Sequence, residues 1–211
     1  MTICLDAYLI PLSLFLTLGY HAYLWHIYKN KPSATSIGIL ALRRKYWFLT
    51  MKQGRDDKKI MLGVQSLRNA LMVSILTAII AIMVNVALAA LTNNAYKERH
   101  LFSAEFMGSE SGRISVVKYG SASLFLLVSF LCSSMAVGYL VDANFLIING
   151  WSYTRSIMER GFVLGFVGSR MLCITFPLLL WMFGPIAVLL SSAGLVWVLY
   201  DIDFASKFHH T

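Results

Sequence analysis

The chain has 211 residues, 58% of them hydrophobic and only 13% charged, with a net charge of +8. That composition leaves little for a water-soluble domain, and the basic balance is no sign of nucleic-acid binding, because Lys and Arg in membrane proteins mainly set orientation. Three cysteines, Cys4, Cys132 and Cys173, lie in or beside apolar stretches, an odd number that indicates no disulfide framework.

Four apolar stretches, about 5–28, 70–91, 116–141 and 171–200, supply candidate spans. Each reaches the ~20 residues that a helix needs to cross a bilayer core of roughly 30 Å. The first begins near Asp6, carries Pro11 and ends in the aromatic run Tyr20 to His26. Nothing ahead of it is basic, so it reads as an uncleaved anchor rather than a signal peptide. Pro32 stops this helix, and Thr35 or Ser36 can cap the next. There Ile39, Leu42, Tyr46 and Leu49 share a face, with Trp47 and Phe48 beside it, among Arg43, Arg44, Lys45 and Lys52. This is the pattern of a basic amphipathic helix lying in anionic headgroups. A turn at Gly54 to Asp57, with Asp56 or Asp57 as cap, leads into the second span. Residues 92–115 read as an external connector, with Lys97, Arg99 and Arg113 balanced by Glu98, Glu105 and Glu110.

After the third span, the chain between Asn149 and Ser169 is too polar to cross and carries Arg155, Glu159 and Arg160. Pro177 and the Gly184–Pro185 pair should bend the last span. The basic loops 29–69 and 142–170 are therefore predicted to be cytoplasmic, with both termini outside, in the plasma membrane or an endomembrane. The predicted fold is all-α: a polytopic membrane protein of one domain, residues 1–211, with a four-transmembrane-helix bundle and a basic amphipathic cytoplasmic helix.

Several strings occur together along the chain. Tyr20-His21, Leu24-Trp25, Ile37-Gly38, Arg44 with Trp47, and Val64-Gln65-Ser66-Leu67-Arg68-Asn69 fill the first half. Glu159-Arg160-Gly161-Phe162, Gly168-Ser169-Arg170, Trp181-Met182-Phe183-Gly184-Pro185 and Leu199-Tyr200-Asp201 fill the second. This ordered set resembles a plant-enriched integral membrane family known only as domain of unknown function 599. The resemblance covers nearly the whole chain except residues 92–115. It implies a four-helix membrane protein of plant origin, and brings no activity, cofactor or catalytic residue with it.

Candidate sites follow from polar groups near hydrocarbon. Asn85, Ser129 and Ser133 lie within spans, where they either tie helices together or line a path. Arg68, Asp142, Asn144 and Arg170 gather at predicted inner boundaries, where ionisable groups need pairing or hydration; a lock between Asp142 and Arg170 or Arg68 is expected. Asp6, Asp201 and Asp203 are expected at one outer level, as an acidic rim that concentrates cations. Gly161, Gly165 and Ser169 form a small-residue face suited to close helix packing. His21 and His26 stand five apart, about 140° around a helix, and no carboxylate or thiol completes a ligand set, so neither metal nor cofactor is expected.

With no nucleophile or metal cluster near the interface, an enzyme is not the expectation. An oligomeric ion channel or small-solute transporter accounts for polar groups inside a compact bundle. The alternative is a membrane scaffold or receptor-like protein acting through its cytoplasmic loop. The expected partners are the bilayer, anionic headgroups on the cytoplasmic face and further copies of the chain, assembled through the Gly161/Gly165/Ser169 face.

Overall fold

The computed structural model describes residues 2–53, 57–101, 112–146 and 151–204. They form α1 (Thr2–Asn30), α2 (Ser36–Gln53), α3 (Asp57–Leu101), α4 (Gly112–Leu146), α5 (Trp151–Leu180) and α6 (Pro185–Phe204), with no strand among the described residues. Met61–Asn93, Val116–Leu146, Tyr153–Phe183 and Pro185–Phe204 are long and apolar enough to cross a membrane. Four such helices fit an integral membrane protein, as the apolar stretches led us to expect.

The membership of the four differs from the expectation. α1 is not among them over residues 8–30, and residues 5–7 of the predicted first span lie outside the side chains described. The predicted span 171–200 is two pieces, the end of α5 and most of α6. Between them Gly184 takes φ 133°, a conformation open to glycine, and Pro185 after it disfavours a helical residue at 184. The expected bend is thus a full reversal. Residues 151–170, expected as a cytoplasmic loop, are the first two-thirds of α5. Their polarity is absorbed locally: Arg155 pairs with Glu159 one turn on, 2.8 Å away, and Arg160 faces outward. α3 also runs to Leu101, well into the predicted connector.

α3, α4 and α5 pack as an up-down-up unit. Leu140 meets Gly161, Ala136 meets Gly165, and Ser133 meets Gly168, while Leu126 and Leu178 share a cluster further along. At one end Leu67, Leu140, Ala143, Ile157 and Met158 close round Phe48 of α2. A second pair, α1 and α6, lies alongside. Ile10, Ser13, Thr17, Tyr20 and Leu24 recur at steps of three and four and are all buried. Ile10 packs with Val188 and Trp181, and Tyr20 and Leu24 pack with Leu199 and Phe204, so α1 and α6 run parallel. Ser13 and Thr17 satisfy their hydroxyls on the α1 backbone, leaving a small, smooth surface for close approach.

These contacts fix where the described helices begin and end relative to one another. α1 starts at the end where α5 turns into α6, whereas α6 finishes where α1 gives way to α2. Because α5 and α6 are two antiparallel helices where one bent helix was expected, the start of α1 and the end of α6 lie at opposite ends of the bundle.

α2 roofs the end where α6 finishes. Thr35 caps it, its Oγ1 accepting from Gly38 N at 3.1 Å, and Ser36 Oγ donates to Ile202 O at 2.9 Å. A Cβ on Gly38 would lie 2.0 Å from Pro32 O, so only glycine fits this tight entry to the helix. Phe48 and half-buried Trp47 turn inward, Trp47 lying over Gly63 of α3. Leu42, Tyr46 and Leu49 stay on the outward face, with Arg43 and Lys45 at its edges.

Candidate functional site

The α1–α6 pair is tied to α5 by a buried ionic network. Asp203, in the last turn of α6, is 1% exposed. A carboxylate there opposes the negative end of the helix dipole and loses its hydration, so it needs donors. It has two: the Tyr20 hydroxyl donates to Oδ2 at 2.6 Å, and Arg170 Nη2 donates to Oδ1. Arg170 is itself 8% exposed, and its guanidinium lies over the Phe166 ring, 4.6 Å from the centroid. One carboxylate thus holds three helices.

This relocates two predicted clusters. Arg170 pairs with Asp203 and not with Asp142; Arg68, Asp142 and Asn144 are exposed and make no ion pair among the described residues. These groups need no partner because they stay in contact with solvent or headgroups. The acidic rim also dissolves: Asp203 is buried, Asp201 is exposed near the α2 end, and Asp6 sits in the early turns of α1 at the opposite end. The side chain of Asp6 lies outside the described residues.

Between the two helix units the packing is incomplete. A cavity of about 470 Å³ lies among α1, α2, α3 and α5, with Leu24, Ile37, Leu140, Phe162 and Ile174 among its apolar walls. Leu18, Trp25, Leu40, Val73 and Val163 line it too and are exposed, so it is open to the outside between helices. Its polar groups are few: His21, Arg44, Ser74, Ser169 and Arg170, with the polar tips of Trp25 and Tyr28. Three of their nitrogens, His21 Nε2, Arg44 Nε and Arg170 Nη1, are buried without a hydrogen-bond partner among the described residues. His21 Nδ1 lies 2.7 Å from Thr17 O. A carbonyl only accepts, so Nδ1 donates, and in the neutral ring Nε2 is left as an acceptor.

Arg44 was read from the sequence as a headgroup charge. The structure turns it inward, its guanidinium 4.2 Å from the centroid of Phe162. Burial draws its pKa below the ordinary arginine value, with Tyr28 and Glu159 acting in the opposite sense; a guanidinium nonetheless stays charged. The missed signal is periodic. Arg44 shares a helix face with Ile37 and Phe48, at steps of seven and four, and that is the inward face.

A family model described as "Protein of unknown function, DUF599" matches residues 8–208. The chain belongs to that family. The matched span includes all six helices in whole or large part, and with them Tyr20, Arg44, Arg170 and Asp203. No curated protein and no solved structure matches the chain.

The remaining predicted residues of this DUF599 chain lie in helix–helix contacts. Ser123 Oγ donates to Asn85 Oδ1 at 2.7 Å, joining α3 to α4, and Ser129 Oγ donates to Gly168 O at 2.7 Å, joining α4 to α5. Ser133 is fully buried against Gly168. Gly161 faces Leu140 and Gly165 faces Ser74 and Ala136, so the small-residue face packs within the chain. Ser169 bonds its own helix at Phe166 O and borders the cavity. Among the described residues no His, Cys, Asp and Glu cluster into a metal-ligand set, and Cys132 and Cys173 are free thiols.

Proposed function

We propose that this protein binds a small, largely apolar solute in the lateral cavity between α1, α2, α3 and α5, as a small-solute transporter or receptor of the membrane. The observation that carries this is the cavity itself. It falls within the roughly 300–1,000 Å³ typical of ligand sites and combines apolar walls with a few convergent polar groups. Its mouth is framed by exposed apolar side chains, which favours loading from the bilayer. A pore along the bundle has less support, since Asn85 and Ser129, the groups expected to line one, bond to neighbouring helices. Assembly into a homo-oligomer loses its expected surface for the same reason, because Gly161 and Gly165 already face α4 and α3.

In this reading α1 crosses alongside α6, giving five passes. The basic residues Lys29, Lys31, Arg43, Lys45, Arg68 and Arg160 lie at or near the α2 end, which positive-inside bias assigns to the cytoplasm. The Leu42/Tyr46/Leu49 stripe, edged by Arg43 and Lys45, then dips into anionic headgroups. Photolabelling tests the cavity. A diazirine-bearing hexadecanol should label peptides around residues 18–25 and 163–174 saturably in nanodiscs. Ser169→Phe, which fills the space, should suppress that labelling. Labelling spread over every lipid-facing helix and indifferent to Ser169→Phe would falsify the proposal.

A further inference from the structure

We infer that the cavity selects a single-chain amphiphile with an acidic head, a carboxylate or a phosphate monoester, held by Arg44 and Arg170. This inference rests on the cavity being a binding site, as proposed above, and names what fills it. Arg44 and Arg170 stack on Phe162 and Phe166, which are four residues apart and so on adjacent turns of one α5 face. Their guanidinium groups are thereby brought to neighbouring turns beside the same space. Arg170 lines the cavity and is more than nine-tenths buried; only its Nη2 reaches Asp203, and Nη1 is buried without a partner among the described residues. Arg44 makes no ion pair among the described residues, and its Nε is buried and unpartnered as well.

The nearby carboxylates are already engaged, Asp203 by Arg170 and Tyr20, and Glu159 by Arg155. The site therefore carries one partly buried positive charge in excess, that of Arg44, with buried nitrogens on both arginines left without a partner, a condition that an anion relieves. Oxygen acceptors of an acidic head satisfy both guanidinium groups, and the fork geometry of arginine suits carboxylate and phosphate alike. His21 Nε2 adds an acceptor that a hydroxyl on the head can satisfy. The apolar remainder of the cavity takes the chain, and its volume of about 470 Å³ suits one chain better than a two-chain phospholipid.

The test compares two photoreactive probes with the same chain, a diazirine-bearing palmitic acid and the corresponding hexadecanol, in phosphatidylcholine nanodiscs holding the full chain. Wild type should saturate with the acid at a concentration at least about tenfold below that for the alcohol. Arg44→Gln should abolish that preference, so that the acid saturates no lower than the alcohol, with a melting temperature close to that of wild type reporting that the variant is folded; Arg44→Lys should retain part of it. Unlabelled palmitate and hexadecyl phosphate should both compete with the acid probe, the tighter one identifying the head, whereas two-chain phosphatidic acid should not. Equal labelling of wild type by acid and alcohol would overturn the acidic head and leave the cavity reading standing. Equal competition by phosphatidic acid would overturn the single chain. Failure of both probes to label saturably would remove the cavity reading itself.

Discussion

The two seams of α5 are built on opposite plans. Against α4 the helix carries Gly161 and Gly168, and the backbones approach so closely that a Cβ on Gly168 would lie 2.3 Å from Ser133 Oγ and 3.1 Å from Ser133 N. Such contact replaces lipid with well-matched protein surface, the main source of helix association in a bilayer. Against α1 and α6 the same helix presents Phe166 and Arg170, large groups that hold the helices apart. There one ionic network fastens the seam near a single level, and the cavity occupies the space beside it. A dry, continuous seam gives rigidity. A seam pinned by one carboxylate gives space for a solute.

Of the two, the pinned seam is the more vulnerable to a single change. Asp203→Ala leaves Arg170 buried without its counter-ion, and the loss of one partner from a buried pair typically costs about 3–5 kcal/mol. The melting temperature in mild detergent should fall sharply, while Asp142→Ala, at an exposed carboxylate, should leave it unchanged. Equal effects of the two substitutions would return the lock to Asp142. Tyr20→Phe removes one charge-assisted hydrogen bond from the same network, worth about 1.5–3 kcal/mol. It should loosen α1, read as faster proteolysis or hydrogen exchange of α1 than of α4.

The difference between the seams also marks what the sequence made legible. The spans of α3 and α4 were readable because their apolar runs are continuous. Thr35 as a cap and Gly184–Pro185 as a break follow from local chemistry and needed no tertiary information. The small-residue face was visible as a packing surface, yet nothing local says whether its partner is α4 or another copy of the chain. Arg170 and Asp203 were both noticed but assigned to opposite faces of the membrane, since hydropathy reads Arg170 as the edge of a span when a partner 33 residues away neutralises it. That single pairing concealed the division of the last apolar stretch into α5 and α6, and with it the cavity. Arg44 was hidden for a related reason: on a helix with apolar residues on two faces, composition does not reveal which face turns inward.

The close seam should resist polar changes but not bulk. Gly168→Leu forces a side chain into the Ser133 backbone and should destabilise by about 1–3 kcal/mol, the usual range for overpacking. Gly138→Leu, on α4 where a Cβ would meet nothing within 4 Å, is the matched control and should be nearly silent. A Gly168→Leu variant as stable as Gly138→Leu would mean that α4 and α5 are not in close contact.

The smallest effect is expected at Asn85. Ser123→Ala removes its interhelical donor, and such bonds in membrane proteins average about 0.6 kcal/mol, because the separated helices also find partners. Asn85 is half-buried in α3, where its amide has the backbone as an alternative partner. Thermal unfolding should therefore shift only slightly, and saturable labelling of the cavity should not change, since neither residue borders it. A large loss of labelling with stability intact would instead place Asn85 on the solute's route, and would revive the path through the bundle that its contact with Ser123 argues against.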